Sequence, residues 1–98
     1  MNKINYNNKK FRSIENTSNG EVSGKTLFHY WQEGNIVWAN YKGGSIRFGN
    51  LVAKIDRNGE LDMRYQHLSE DGTFKTGLCH SKPEILEDGR IRLHESWQ

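Results

Sequence analysis

The sequence predicts an all-β protein: an antiparallel up-and-down meander of seven to eight strands that forms a small barrel or a curled half-barrel. Three observations predict it. A glycine, one further residue and then a large apolar residue recur as Gly44-Ser45-Ile46, Gly59-Glu60-Leu61, Gly72-Thr73-Phe74 and Gly89-Arg90-Ile91. Three of these glycines follow Asn58, Asp71 or Asp88, and Asn-Gly and Asp-Gly tolerate the positive φ of tight hairpin turns, so each repeat reads as a turn opening a new strand. Between the turns apolar residues alternate with polar ones, most cleanly in Leu61, Met63, Tyr65 and His67 against Asp62, Arg64 and Gln66. No stretch carries the 3.6-residue period of a helix of normal length.

The chain has 98 residues, short enough for one core. Only 34% of residues are hydrophobic, but three Trp, four Tyr and four Phe supply rings large enough to fill a small interior. Fourteen basic and twelve acidic side chains leave a net +2, too balanced to announce nucleic acid or an acidic membrane. Lys3, Lys9, Lys10 and Arg12 concentrate positive charge at the start, so residues 1–10 are expected to be a flexible basic arm and 11–98 a single antiparallel β-domain. The lone Cys79 has no internal disulfide partner, and no apolar run is long enough for a signal peptide or a membrane span. This favours a cytoplasmic protein. One Cys and four His (His29, His67, His80, His94) lack zinc-finger spacing, which argues against a structural metal.

Phe11 to Thr17 offers a first strand, followed by a loop at Ser18 to Glu21 and an ambiguous Val22 to Lys25. Thr26 to Gln32 reads as a strand because Leu27, Phe28, Tyr30 and Trp31 are bulky and β-favouring. Glu33-Gly34-Asn35 turns it into Ile36 to Tyr41, where bulk on both faces suits a central strand or one whose outer face is covered. In Ile46 to Asp56 the apolar phase switches from even (Ile46, Phe48) to odd (Leu51, Ala53, Ile55). Gly49 lies at the switch, which suggests a bulge that bends the sheet toward closure.

Leu61 to Leu68 follows, then Phe74, Thr76 and Leu78 on one face against Lys75, Gly77 and Cys79. Pro83 has no N–H for a ladder, so His80 to Pro83 is expected to be a corner. Ser81-Lys82-Pro83-Glu84 also fits a capping box opening one helical turn. The competing hairpin, Glu84 to Glu87 and Arg90 to Trp97 about Asp88-Gly89, has the stronger local signal. On its last strand Ile91, Leu93, Glu95 and Trp97 share a face.

Ile4 to Phe11, Leu61 to His67, Gly77 to Leu86 and Gly89 to Trp97 resemble a group of small bacterial proteins that often carry the name N-acetylglutamate synthase. That name implies an acetyltransferase. Such enzymes resemble mixed α/β domains in which a glycine-rich turn opens a helix that holds the pyrophosphate. Here every glycine-rich turn opens a strand-like run, so the residues do not supply that chemistry.

The candidate site is the set of aromatic and polar residues whose strand phase points inward. His67 falls with Tyr65 and Met63, Thr76 with Leu78 and His80, Glu95 with Leu93 and Trp97, and His29 with Leu27 and Trp31. A barrel mouth lined by rings with a few convergent polar groups is a typical small-ligand site. The ligand-binding set expected is therefore His29, Trp31, Trp38, Tyr65, His67, His80, Glu95 and Trp97, with no catalytic residue, metal or cofactor. The reading is a non-enzymatic, calycin-like barrel that takes a small ligand or a protein partner, as a monomer or an edge-paired homodimer.

Two alternatives stand beside it. One is an enzyme using His67 as base and Glu95 as its orienting carboxylate. The other is single-stranded nucleic-acid binding on a stripe of Arg47, Arg64, Arg90 and Arg92 interleaved with Tyr41, Phe48 and Tyr65. No P-loop, HExxH, GxSxG or EF-hand spacing is present.

Overall fold

The structure, a computed structural model, describes residues 4–12 and 26–97, the last of these by its backbone alone. Seven strands lie among the described residues: β1 (Lys9–Arg12), β2 (Leu27–Glu33), β3 (Ile36–Gly43), β4 (Ile46–Ile55), β5 (Leu61–Ser69), β6 (Phe74–Ile85) and β7 (Ile91–Trp97). They form one sheet in sequence order, every neighbour antiparallel. The sheet is strongly curled. Tyr30 on β2 and Glu95 on β7 are five strands apart, which is about 24 Å in a flat sheet, yet their side chains meet at 3.4 Å. Among the described residues no ladder joins β1 to β7, so the form is a half-barrel.

Three of the four repeated glycine turns share one geometry. Gly59, Gly72 and Gly89 donate to the carbonyls of Asp56, Ser69 and Leu86, and those residues in turn donate to Glu60, Thr73 and Arg90. φ is positive at the three glycines and not at Asn58, Asp71 or Asp88. The connections are thus longer than the two-residue, doubly positive turns the dipeptides suggest, with glycine alone taking the left-handed position. Asp71 and Asp88 serve instead as acceptors, each taking the N–H two residues on.

Facing rows on the concave side set small residues beside large ones. One runs Tyr30, Ala39, Leu51, Tyr65, Gly77 and the next Phe28, Tyr41, Gly49, His67, Lys75 across β2 to β6. Rings from one strand fill the space that small residues on its neighbours leave open. Tyr30, Tyr41, Val37, Leu61 and Met63 are fully buried in this core, each contributing about 1.5–3 kcal/mol by leaving water.

The register slips in β4 at Arg47, between Ile46 and Phe48, so the bulge precedes Gly49. It turns Ile46 inward and Phe48 outward and puts Gly49 on the concave face. Gly49 has a separate task. A Cβ there would lie 2.5 Å from the Tyr41 ring and 2.7 Å from His67 Cβ, so only glycine lets Tyr41 lie across β4.

Several expectations change. The basic arm expected over residues 1–10 is docked from Ile4 onward. Tyr6 is buried, its N–H donates to Gln32 Oε1 at 2.8 Å, and the Gln32 N–H donates to Asn7 Oδ1 at 3.0 Å. The first strand begins at Lys9, and residues 13–25, including its expected continuation to Thr17 and the segment Val22 to Lys25, lie outside the described residues. Pro83 makes no corner, and Ser81 opens no helical turn. Both lie within β6, and pairing with β5 ends at Ser81, so Pro83 has only β7 beside it and its missing N–H is tolerated. The β6–β7 hairpin forms as expected about Asp88-Gly89.

Candidate functional site

The concave face carries a chain of rings. Phe11 meets Tyr30 edge-on at 4.9 Å, Phe28 lies 6.3 Å from Tyr30 and stacks on Tyr41 at 4.7 Å, Tyr41 meets the His67 ring at 5.7 Å, and His67 stacks on Tyr65 at 5.9 Å. Such contacts add about 0.5–1.5 kcal/mol per aromatic pair beyond area burial. The chain ends in two polar nodes.

The first node is built on Glu95. β7 aims this carboxylate inward opposite Ser81 of β6, and the Ser81 hydroxyl donates to Glu95 Oε2 at 3.0 Å. The Tyr30 hydroxyl donates to the same oxygen at 3.4 Å. Burial raises the Tyr30 phenol well above its ordinary range, and the Glu95 charge adds to the effect. Cys79, on the same face, is pushed up to about 12 by burial and then by Glu95, so its thiol stays protonated and inert.

The second node pairs the Tyr41 hydroxyl with His67 Nδ1 at 3.0 Å, the hydroxyl also donating to the Gln66 carbonyl at 3.4 Å. Burial raises the Tyr41 phenol as well. Beyond these nodes, the buried Tyr6 hydroxyl has no hydrogen-bond partner among the described residues, and burial holds its pKa near about 12. Carboxylate, hydroxyl and imidazole groups set among stacked rings can orient a small polar head while the rings cover an apolar body.

The structure divides the expected site residues between two faces. Tyr65, His67 and Glu95 lie on the concave side. Trp97 reaches it by backbone, opposite Cys79. His29, Trp31, Trp38 and His80 lie on the convex side. There His29 stacks on Trp31 at 4.3 Å and bonds Asn8 at 2.8 Å, Trp38 sits opposite Trp31, and His80 bonds Glu60 at 2.6 Å. The inward phase expected for Leu27 with His29 and Trp31, and for Thr76 with Leu78 and His80, is therefore reversed. β2 carries bulk on both faces, so its parity is ambiguous, and β6 turns Gly77, Cys79 and Ser81 inward to match the small-residue slots of the core. Among the arginine-stripe aromatics, Tyr41 and Tyr65 face away from Arg64, which pairs with Asp62 at 2.7 Å, while Arg90 pairs with Asp88 at the last turn.

The expected ligand-binding set left out Tyr30, Tyr41 and Ser81, which the structure places among these nodes. A signal was present in the small residues Ala39, Gly49, Ala53 and Gly77, which mark the side where neighbouring rings must fit.

A curled antiparallel meander with rings and a few polar groups on its concave side is a calycin-like half-barrel. A family model described as avidin-like protein matches residues 4–98, and the chain belongs to that family. No curated protein and no solved structure matches the chain. The family match overturns the resemblance to N-acetylglutamate synthases, as does a fold in which each glycine turn among the described residues joins two strands.

Proposed function

We propose that the protein is a non-enzymatic binding domain of the cytosol that holds a small organic ligand on its concave face. The observation that carries this reading is Glu95, a carboxylate set among aromatic rings and met there by the Tyr30 and Ser81 hydroxyls. Bringing a carboxylate toward an apolar interior costs several kcal/mol unless it is well paired. An interior that served packing alone would put an apolar residue at this position. The ligand suited to it has N–H or cationic donors for Glu95 and a flat or apolar body for the tyrosines.

Binding fits better than catalysis because the groups that would act as nucleophiles, Cys79 and the buried tyrosines, are held protonated by burial. Membership in the avidin-like family supports the same reading. The strand edges at β1 and β7 offer a route to edge pairing between copies.

Native mass spectrometry of the purified protein, with a thermal-shift screen of a metabolite library that includes biotin, tests the proposal. A ligand at a hundred times its Kd raises Tm by roughly 10–15 °C, and the conservative Glu95→Gln variant loses most of that shift while keeping its sheet signal. An empty spectrum together with an empty screen would count against the reading.

A further inference from the structure

The geometry points to a divalent transition-metal site, of the zinc class, formed by Asp56, Glu60 and His80 on the convex side and separate from the concave face. Asp56 and Glu60 flank the β4–β5 turn, whose base is closed by the Asp56 N–H donating to the Glu60 carbonyl at 2.9 Å. His80 lies on β6 opposite Asp62, so Glu60 is its diagonal neighbour across the strand pair. One ligand atom from each of the three residues lies within 4.8 Å of the others.

Three features favour a metal over a plain ion pair. Asp56 Oδ1 accepts the N–H groups of Asn58 and Glu60, which leaves its second oxygen to a ligand. Among the described residues neither Asp56 nor Glu60 bonds a lysine or arginine, and the imidazole of His80 bonds Glu60. Two carboxylates thus face one imidazole, a balance that a dication completes.

The molecule also supplies its own comparison. His94 and Glu84 form an equivalent pair at 2.8 Å on β6 and β7, but among the described residues only the His80 pair has a third ligand residue beside it.

Zinc bonds to nitrogen and oxygen of about 2.0–2.2 Å place tetrahedral ligand atoms roughly 3.4 Å apart. The three ligand atoms, already within 4.8 Å of one another, reach that spacing by side-chain shifts of about an ångström. The ion replaces the hydrogen now shared at 2.6 Å between His80 Nε2 and Glu60, and the imidazole carries its hydrogen on Nδ1. Three protein ligands leave a coordination position for water. The spacing rule that argues against a finger-type site does not reach this one, because strand pairing and not sequence proximity brings His80 to the turn.

Titration of the untagged, chelator-stripped full chain with Zn²⁺ by calorimetry, and with Co²⁺ by visible absorption, tests the site. Wild type is expected to take one equivalent of each, with a Co²⁺ ligand-field band and a Tm that rises with Zn²⁺. His80→Ala and the shape-conserving Glu60→Gln each weaken binding at least tenfold, whereas His94→Ala leaves it unchanged. All three variants keep the metal-free Tm within a few degrees, since these side chains lie outside the core. No binding by wild type at millimolar Zn²⁺, or equal loss in His80→Ala and His94→Ala, would overturn the site.

Discussion

At the scale of single residues, the contact between Gly49, Tyr41 and His67 fixes the second polar node. A methyl at position 49 would fall 2.5 Å from the Tyr41 ring, so Gly49→Ala displaces the ring and is expected to cost about 2 kcal/mol. Tyr41→Phe keeps the stack on Phe28 and loses only the hydroxyl bonds, costing about 1 kcal/mol. Urea denaturation of both variants checks that order, and a harmless Gly49→Ala would contradict the placement of the ring. Burial also makes stability depend on alkaline pH. The folded chain holds Tyr6 and Cys79 at about 12, against ordinary values of 10.0 and 9.0. The unfolded chain gives up these protons first, so stability fully present below pH 9 is lost as pH rises from about 9 to about 12. A urea midpoint that stays flat across that window would show that the two groups are wetter than described. The residues that make the nodes were only partly legible in the sequence. Glu95 and His67 showed their phase because Leu93 and Tyr65 flank them on the same face, whereas Tyr30 was hidden by the equal bulk of Trp31 beside it.

At the scale of elements, most strands could be read because turn chemistry is local and the hairpin register follows from it. The corner expected at Pro83 failed for a non-local reason. A proline is tolerated where the neighbouring strand has ended, and the end of β5 pairing at Ser81 is a property of the assembled sheet. Phase in β6 failed similarly. Phe74, Thr76 and Leu78 look like the buried set by size, but the partners Met63 and Tyr65 require small residues opposite them, and these are Cys79 and Gly77. The register gives a direct test. Leu78→Asn on the convex face changes stability by about 0.5 kcal/mol or less, whereas Cys79→Asn buries an amide beside Met63 and costs about 1–3 kcal/mol. Thermal unfolding of the pair distinguishes the two phases, and a larger loss for Leu78→Asn would reverse the assignment.

At the scale of the whole molecule, curvature turns a ribbon of hairpins into a binding form. The bulge at Arg47 bends β4, small residues beside the rings let the concave side close on itself, and Glu95 thereby reaches Tyr30 from the far end of the sheet. Curl was foreseeable from the phase switch in Ile46 to Asp56. Which side became concave was marked only by the small residues Ala39, Gly49, Ala53 and Gly77, because it depends on rings from four strands finding space together. The avidin-like family match agrees with the curled architecture and leaves the ligand to be identified. The most direct test is a ¹H–¹⁵N correlation spectrum of the protein titrated with the strongest hit of the ligand screen. The account predicts shifts concentrated at Tyr30, Tyr41, His67, Ser81 and Glu95, with Trp31, Trp38 and Leu78 unmoved. Shifts centred on that convex set, with the concave residues silent, would contradict it.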